Sequence, residues 1–191
     1  MRNRGIKRTG YAIALLCWSA LCLGEPRVRP TEWASPVIGT SLENLYQVDN
    51  GVYRSEQPDE TAFKVLANYG VGEVLSLREY HSDEALAADT ALQLHRIKVA
   101  TGSITQEQLV EALGIIKHRK APILVHCWHG SDRTGAVIAA YRVVINGWSK
   151  AKALDELEHG GFGYHAAFYP NIVQLIESLD VTKMRQALDQ H

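Results

Sequence analysis

Cysteine is scarce in this sequence, with only three residues in 191, namely Cys17, Cys22 and Cys127. Cys17 and Cys22 lie in an apolar run near the N-terminus, so a chain that lost this run would keep Cys127 alone. A single thiol cannot form an internal disulfide, which excludes a disulfide-stabilised scaffold. A lone cysteine is ordinarily a core residue, but the neighbours of Cys127, described below, indicate chemistry.

Long hydrophobic runs are also absent. The apolar run, Tyr11 to Leu23, is shorter than the roughly 18 residues of a membrane-spanning helix. Four basic residues precede it and Gly24-Glu25-Pro26 follows it, an arrangement typical of a signal peptide over residues 1–24. The sequence predicts an exported protein, most simply a periplasmic one, with no membrane span in its mature form. An uncleaved N-terminal anchor is the alternative.

The chain has no excess of positive charge. Loss of residues 1–24 would leave 16 basic and 21 acidic residues, a net charge of −5. No basic run interrupts this balance, so nucleic acid is not an expected partner. No clustered His/Asp spacing indicates a metal site, and we expect neither a metal nor a cofactor. The sequence gives no indication of the oligomeric state.

A length of 191 residues and a hydrophobic fraction of 46% are typical of one globular domain. We expect an irregular lead-in over residues 25–43 and the domain over residues 44–191. The patterns predict a hairpin at 45–48 and 52–55, strands at 73–77, 92–99 and 122–125, and helices at 59–69, 105–119, 135–145, 149–159 and 171–179. This order indicates an α/β domain with a central, mostly parallel sheet and helices on both faces. Ligands of such folds lie at the carboxyl ends of strands, here residues 126–134.

The segment His126-Cys127-Trp128-His129-Gly130-Ser131-Asp132-Arg133-Thr134-Gly135 joins a buried strand to a buried helix. Five residues between Cys127 and Arg133 allow the loop to curl with its backbone N–H groups inward. These donors and the helix N-terminus would surround a phosphate. The same field favours a nucleophilic thiolate at Cys127. Arg133 offers a planar fork to two phosphoryl oxygens.

This segment resembles the HCx5R-[ST]-G signature of the protein tyrosine and dual-specificity phosphatases. The similarity extends from Tyr53-Arg54-Ser55 to Gly160-Gly161-Phe162-Gly163, and the sequence is similar to the small periplasmic dual-specificity-type enzymes of bacteria. The resemblance implies a dual-specificity-phosphatase-like fold and phosphomonoester hydrolysis through a phosphocysteine. It also implies that the Thr134 hydroxyl assists the departing thiolate and that His126 orients the loop from beneath.

The other loop residues have roles in phosphate binding or loop support. Gly130 and Gly135 allow close backbone approach, and Ser131 belongs to the phosphate-binding loop. Trp128 either lines the pocket mouth or packs beside the loop, and His129 either touches substrate or packs. Outside the loop, we interpret Arg54 as structural and His165 as a surface residue.

One family feature is missing. Phosphatases of this kind are expected to supply an aspartic acid, as general acid, about thirty residues before the cysteine, yet residues 98–106 contain no carboxylate. Asp132 is the best placed substitute and resembles the loop aspartate of myotubularin and Sac lipid phosphatases; its alternative role is a loop brace. Glu107 is a second candidate, although it also suits the first turn of a helix. Asp83 or Glu84 would have to fold over the site, and either is otherwise a solvated charge.

The loop contains no lysine, and the mature chain is acidic. Both features favour a singly phosphorylated group, such as phosphotyrosine in a protein or a small phosphomonoester, over a crowded polyanion. Two alternatives stay open. One is an inositol phosphate or phosphoinositide phosphatase, and the other is a catalytically weak pseudophosphatase that binds phosphoproteins.

Overall fold

A computed structural model describes residues 28–190 of the chain, and the predicted signal peptide lies outside these residues. A six-stranded sheet in the order β1-β2-β3-β6-β4-β5 forms its centre. The strands are β1 Ser35–Pro36, β2 Tyr46–Asp49, β3 Val52–Ser55, β4 Glu73–Ser76, β5 Gln93–Arg96 and β6 Ile123–His126. Pairing is antiparallel from β1 to β3 and parallel from β3 through β6 and β4 to β5. The predicted central, mostly parallel sheet is confirmed.

Helices cover both faces of the sheet. They are α1 Glu60–Asn68, α2 Gln106–His118, α3 Asp132–Val144, α4 Lys150–His159, α5 Pro170–Ser178 and α6 Val181–Asp189, and a short 3₁₀ turn spans Thr101–Ser103. Alternate strand residues point to opposite faces. Val74 and Leu124 belong to a cluster with side chains of α1, whereas Leu75 and Val125 belong to a larger cluster with side chains of the other five helices. The larger part of the core therefore lies on the face of the sheet that α3 covers.

Helix starts follow the capping signals of the sequence. The Asp59 side chain accepts the N–H of Ala62 at the start of α1. Thr105 and Gln108 form a reciprocal capping box at the start of α2, and Ser149 caps α4. Each side chain satisfies N–H groups that have no partner within their helix. The predicted caps are confirmed.

Three elements differ from the sequence prediction. Helix α3 begins at Asp132 rather than at residue 135. The sequence offered no capping signal for this start, and the Ser131 side chain makes no capping bond. Helix α6 was not predicted, and only Met184 and Leu188 of its side chains are buried. Within the expected lead-in, Ser35–Pro36 pairs with β2. No helix of residues 28–190 combines the length and apolarity needed to cross a bilayer.

Candidate active site

Residues 127–131 form the loop between β6 and α3. The strands on either side of β6 end in register with it, since Ser55 of β3 and Ser76 of β4 both lie opposite His126. The segments that follow β3 and β4 therefore form two walls around the loop. This placement at the carboxyl edge of a parallel sheet is where the sequence predicted a ligand site.

Groups outside the loop bind the carbonyl oxygens of four consecutive loop residues. Cys127 accepts from His126 Nδ1 at 3.0 Å, Trp128 from the Gln57 N–H at 2.9 Å, His129 from Asn44 Nδ2 at 2.8 Å, and Gly130 from Arg54 Nη2 at 2.5 Å. In a trans peptide the C=O and the N–H point in opposite directions. With these carbonyls turned outward, the N–H groups of residues 128–131 face the inside of the loop.

These inward N–H groups form a nest for an anion. No acceptor within residues 28–190 takes the N–H groups of residues 128–131. The first N–H groups of α3, which have no partner inside the helix, point to the same place. Such a set of convergent donors at a helix N-terminus binds phosphate-like anions.

The shape of the loop requires glycine at position 130. Its φ is +70°, a left-handed conformation. A Cβ there would lie 2.4 Å from the backbone carbon and oxygen of Ser55. Gly135 is similarly crowded, because a Cβ would lie 2.5 Å from Leu157 Cδ1. Both glycines thus allow the close approach expected of them.

Cys127 begins the loop, and Arg133 follows it in the first turn of α3. The cysteine is buried at the base of the loop. Arg133 Nη1 donates weakly to the carbonyls of Leu77, at 3.2 Å, and Val99, at 3.4 Å. Within residues 28–190 it has no carboxylate in ion-pair range, and it lines a cavity of about 270 Å³ beside the loop. Its charge is therefore available to an anion in that cavity.

Thr134 lies in the first turn of α3, and its hydroxyl is buried. Its oxygen has no hydrogen-bond partner in the part of the chain described. A buried unpaired hydroxyl costs stability unless another group uses it. The role that the resemblance implies, donation to the sulfur of Cys127, stays a prediction.

His126 and Asp83 support the loop from below. His126 Nδ1 contacts the Cys127 carbonyl, and Nε2 lies 2.8 Å from Asp83 Oδ2. Burial acts to raise the pKa of Asp83, but the hydrogen bond and charge of His126, together with Gln57, hold it below its usual value. Asp83 is buried under the loop and does not fold over its mouth.

Asp132 is bound by His165. The carboxylate accepts the His165 backbone N–H at 2.9 Å, and His165 Nδ1 lies 3.0 Å from its second oxygen. The sequence left two roles open for Asp132, and these contacts favour the brace over the general acid. His165, expected only as a surface residue, is half-exposed and pairs with Asp132.

The other candidate acids lie apart from the nest. Glu107 borders a groove of about 620 Å³ between α2 and α6, with Val110 and Met184. Hydrogen bonding at its backbone N–H and by Thr105 lowers the pKa of Glu107, which disfavours proton donation. Glu84 accepts from Ser82. Glu79, which sequence reasoning did not single out, lines the cavity of Arg133.

Arg78 and Trp128 form the mouth of the cavity. The Arg78 guanidinium carbon lies 4.2 Å from the centre of the indole ring, and Arg78 Nη1 donates to Gln57 Oε1 at 2.9 Å. Burial and the nearby charge of Arg133 lower the pKa of Arg78. Half of the Trp128 side chain is exposed, so it lines the mouth, one of its two predicted positions. Arg78 was not predicted as a site residue, although it lies just after β4, at the carboxyl end of a parallel strand where ligands bind.

The remaining loop side chains, His129 and Ser131, differ in exposure. His129 is exposed, and its ring lies edge-on to those of Trp128 and His165. Ser131 is buried, and its hydroxyl donates a long bond to the His129 carbonyl. Residues 28–190 contain no group of three or more His, Cys, Asp or Glu placed to hold a metal ion.

A strand–loop–helix nest with a cysteine and an arginine defines a site of the cysteine-dependent phosphatase class. The model of the family described as "Tyrosine phosphatase family" matches residues 41–180. The chain belongs to this family. It is 31% identical over 137 residues to the dual specificity protein phosphatase TpbA of Pseudomonas aeruginosa, an alignment that covers 71% of this chain and 62% of that relative.

Two further comparisons concern the fold and the range of relatives. The crystal structure of a TpbA variant in complex with pTyr matches with a TM-score of 0.76 and 28% identity, covering 86% of this chain and all of that one. Inositol diphosphatase DSP2 of Oryza sativa subsp. japonica is 28% identical over 141 residues, covering 69% of this chain and 68% of that relative. The dual-specificity-phosphatase-like fold is confirmed.

Proposed function

We propose that the protein hydrolyses phosphomonoesters through a phosphocysteine at Cys127, with phosphotyrosine in proteins as its preferred substrate. The observation that supports this most directly is the outward binding of the carbonyl groups of residues 127–130. It leaves a ring of amide donors above a buried cysteine. A core cysteine with no chemical role needs no such arrangement.

Two displacements complete the reaction. Phosphate oxygens bind the amide nest and the Arg133 fork, and the Cys127 thiolate attacks phosphorus as the bond to the leaving oxygen breaks. The leaving oxygen takes a proton from solvent water and departs as the alcohol or phenol. Water then attacks the phosphocysteine, the P–S bond breaks, and inorganic phosphate leaves. The Thr134 hydroxyl stabilises the sulfur anion that is released.

An aryl phosphate suits the mouth of the site. The Trp128 indole offers a face for ring packing beside the phosphate. The sequence candidates for a general acid are bound or distant, and a phenol needs less protonation than an alkyl alcohol when it leaves. The phosphotyrosine complex of the related TpbA structure supports the same substrate class.

A second candidate substrate is an inositol phosphate or diphosphate. Arg78 and Arg133 line one cavity, and neither has a carboxylate in ion-pair range within residues 28–190. Two adjacent cations without such partners suit a ligand with more than one phosphate. The relative named inositol diphosphatase is consistent with this alternative.

The test is turnover by the purified protein in the presence of chelator. We expect hydrolysis of nitrophenyl phosphate and phosphotyrosine peptides that vanadate blocks and that Cys127→Ser abolishes. A panel with phosphoserine peptides, phosphoinositides and inositol diphosphates then ranks the substrates by kcat/KM. Binding of phosphopeptides without turnover would instead establish the pseudophosphatase alternative.

We also propose export of the protein to the periplasm. The support is the basic segment, the short apolar run and Gly24-Glu25-Pro26 at the N-terminus. Fractionation of expressing bacterial cells, with N-terminal sequencing of the product, tests it. A full-length protein retained in the cytoplasm would contradict export, and a full-length protein in the membrane fraction would show an anchor.

A further inference from the structure

Arg54 is a fully buried cation beneath the phosphate-binding loop. It lies on β3, and 1% of its surface is exposed. Its guanidinium carbon is 3.7 Å from the centre of the Phe162 ring, and Nη2 donates to the Gly130 carbonyl at 2.5 Å. Its Nε is buried and makes no hydrogen bond within residues 28–190. This environment is unusually poor in partners for a charged side chain.

No carboxylate in the described residues forms an ion pair with Arg54. The nearest candidate by charge is Glu156, but both of its oxygens are already engaged. Arg142 binds them at 2.8 and 2.9 Å, and the Ala34 N–H donates to one of them at 2.6 Å. Arg54 therefore lacks the close counter-charge that normally accompanies a buried arginine.

Arg54 nevertheless stays charged at neutral pH. Burial lowers its pKa to about 10, while attraction to Glu156 and to the Cys127 thiolate acts in the opposite direction. Coulomb attraction is mutual, so a charge that the thiolate stabilises also stabilises the thiolate. Removal of the guanidinium therefore removes a favourable interaction with negative charge at Cys127.

We propose that Arg54 is a positioning residue whose hydrogen bond fixes the Gly130 peptide and whose buried charge stabilises negative charge in the loop above it. This inference rests on the proposed function of the loop, yet ionisation of Cys127 is measurable without any turnover. Holding the Gly130 carbonyl outward turns the Ser131 N–H into the nest. The guanidinium thus acts on the geometry of the nest and on the charge of the nucleophile.

Other charged groups surround the loop, and the test leaves them in place. They are Arg78 and Asp83 on the segment after β4, His126 beneath the cysteine, Arg133 on α3 and Glu156 on α4.

Two substitutions separate the functions of Arg54. Arg54→Gln keeps a donor for Gly130 and removes the charge, whereas Arg54→Lys keeps the charge and removes the planar fork.

The experiment is alkylation of Cys127 by iodoacetamide across a pH series, read by mass spectrometry of the peptide that contains it. We expect Arg54→Gln to raise the pH midpoint of alkylation by about one unit, and Arg54→Lys to leave it within about 0.3 units. In a parallel assay, Arg54→Gln should lower kcat at neutral pH about tenfold by reducing the thiolate fraction, and higher pH should restore part of it.

The control is Arg119→Gln, which removes a cation that donates to Asn50 and Ile116, remote from the loop. It should leave the midpoint unchanged. A folded Arg54→Gln variant with the wild-type midpoint, or an equal shift in Arg119→Gln, would overturn the inference. If Arg54→Gln does not fold, Arg54→Met, which also removes the charge and keeps an unbranched side chain, decides: a rise of about one unit in the midpoint supports the inference, and an unchanged midpoint refutes it.

The two proposals fail in different ways. A wild-type protein that turns over no phosphate ester, but whose alkylation midpoint rises in Arg54→Gln, would refute the proposed function and leave the role of Arg54 standing. Turnover by the wild type, together with an alkylation midpoint that does not depend on Arg54, would support the proposed function and refute the role of Arg54.

Discussion

Asp132 and His165 connect the first turn of α3 to the turn before α5. The Asp132 carboxylate accepts the backbone N–H of His165 at 2.9 Å and lies 3.0 Å from its ring nitrogen. Asp132 directly precedes Arg133, so this contact also fixes the start of the helix that presents the guanidinium. The two residues are 33 positions apart in the chain.

We expect Asp132→Asn and His165→Ala to act alike, as two halves of one brace. Each should lower the free energy of unfolding by about 1–2 kcal/mol and slow nitrophenyl phosphate and an alkyl phosphate by the same factor. The double variant should show less than the sum of the two losses. A selective loss on the alkyl phosphate in Asp132→Asn would instead identify Asp132 as the general acid.

The Asp83–His126 pair should make stability depend on acid pH. Because the pKa of Asp83 is lowered in the folded state, its contribution is complete above the ordinary value of 3.8 and is lost as the pH falls through the lower folded value. Urea unfolding between about pH 6 and about pH 2 measures this loss. Asp83→Asn should show a smaller acid-dependent loss than the wild type, and the exposed control Asp89→Asn should not. Equal slopes in all three proteins would contradict the assignment.

Gly130 and Gly147 give a matched pair for testing the loop geometry. Both have positive φ, +70° and +74°, but a Cβ at Gly147 meets no atom within 4 Å, whereas one at Gly130 meets the backbone of Ser55 at 2.4 Å. We expect Gly147→Ala to cost about 1 kcal/mol of stability with unchanged activity. Gly130→Ala should lower kcat/KM by about 100-fold or more. Similar activity in both variants would show that crowding at Gly130 does not matter.

The buried pair Arg142–Glu156 should be important for stability. Glu156 binds Arg142 through both oxygens and also accepts the Ala34 N–H. Glu156→Gln leaves Arg142 buried without a counter-charge, and we expect a loss of about 3 kcal/mol in chemical denaturation. The exposed pair Glu60–Lys64 is the control, where Glu60→Gln should cost less than about 0.5 kcal/mol. Equal costs would show that burial does not strengthen the Arg142–Glu156 contact.

Local signals explain which parts of the fold were predictable from the sequence. The Thr105–Gln108 capping box and the Asp49-Asn50-Gly51 hairpin turn act over a few residues, and both elements form as expected. The start of α3 was placed too late because its first turn is polar and uncapped. Helix α6 was missed because its stability comes from two buried side chains, Met184 and Leu188, that pack on distant helices.

The residues of the site also fall into two groups, those that the local sequence predicts and those that it does not. Cys127, Arg133 and Gly130 belong to one continuous motif, so their proximity follows from the loop itself. The partners that hold the loop could not be predicted from this motif, because they come from three separate segments. They are Asn44, Arg54, Gln57 and Asp83. The partnership of Asp132 with His165 depends on how α4 and α5 pack, which no pattern within one segment encodes.

The strand order has a consequence for how the protein matures. β6 is the last strand in the chain, yet it lies between β3 and β4, and without it the sheet would fall into two separate pieces. The nucleophile therefore reaches its position only after residues far apart in the sequence have come together. Partly synthesised or partly unfolded molecules should be inert, and catalytic activity should report directly on the fraction of molecules that have completed folding.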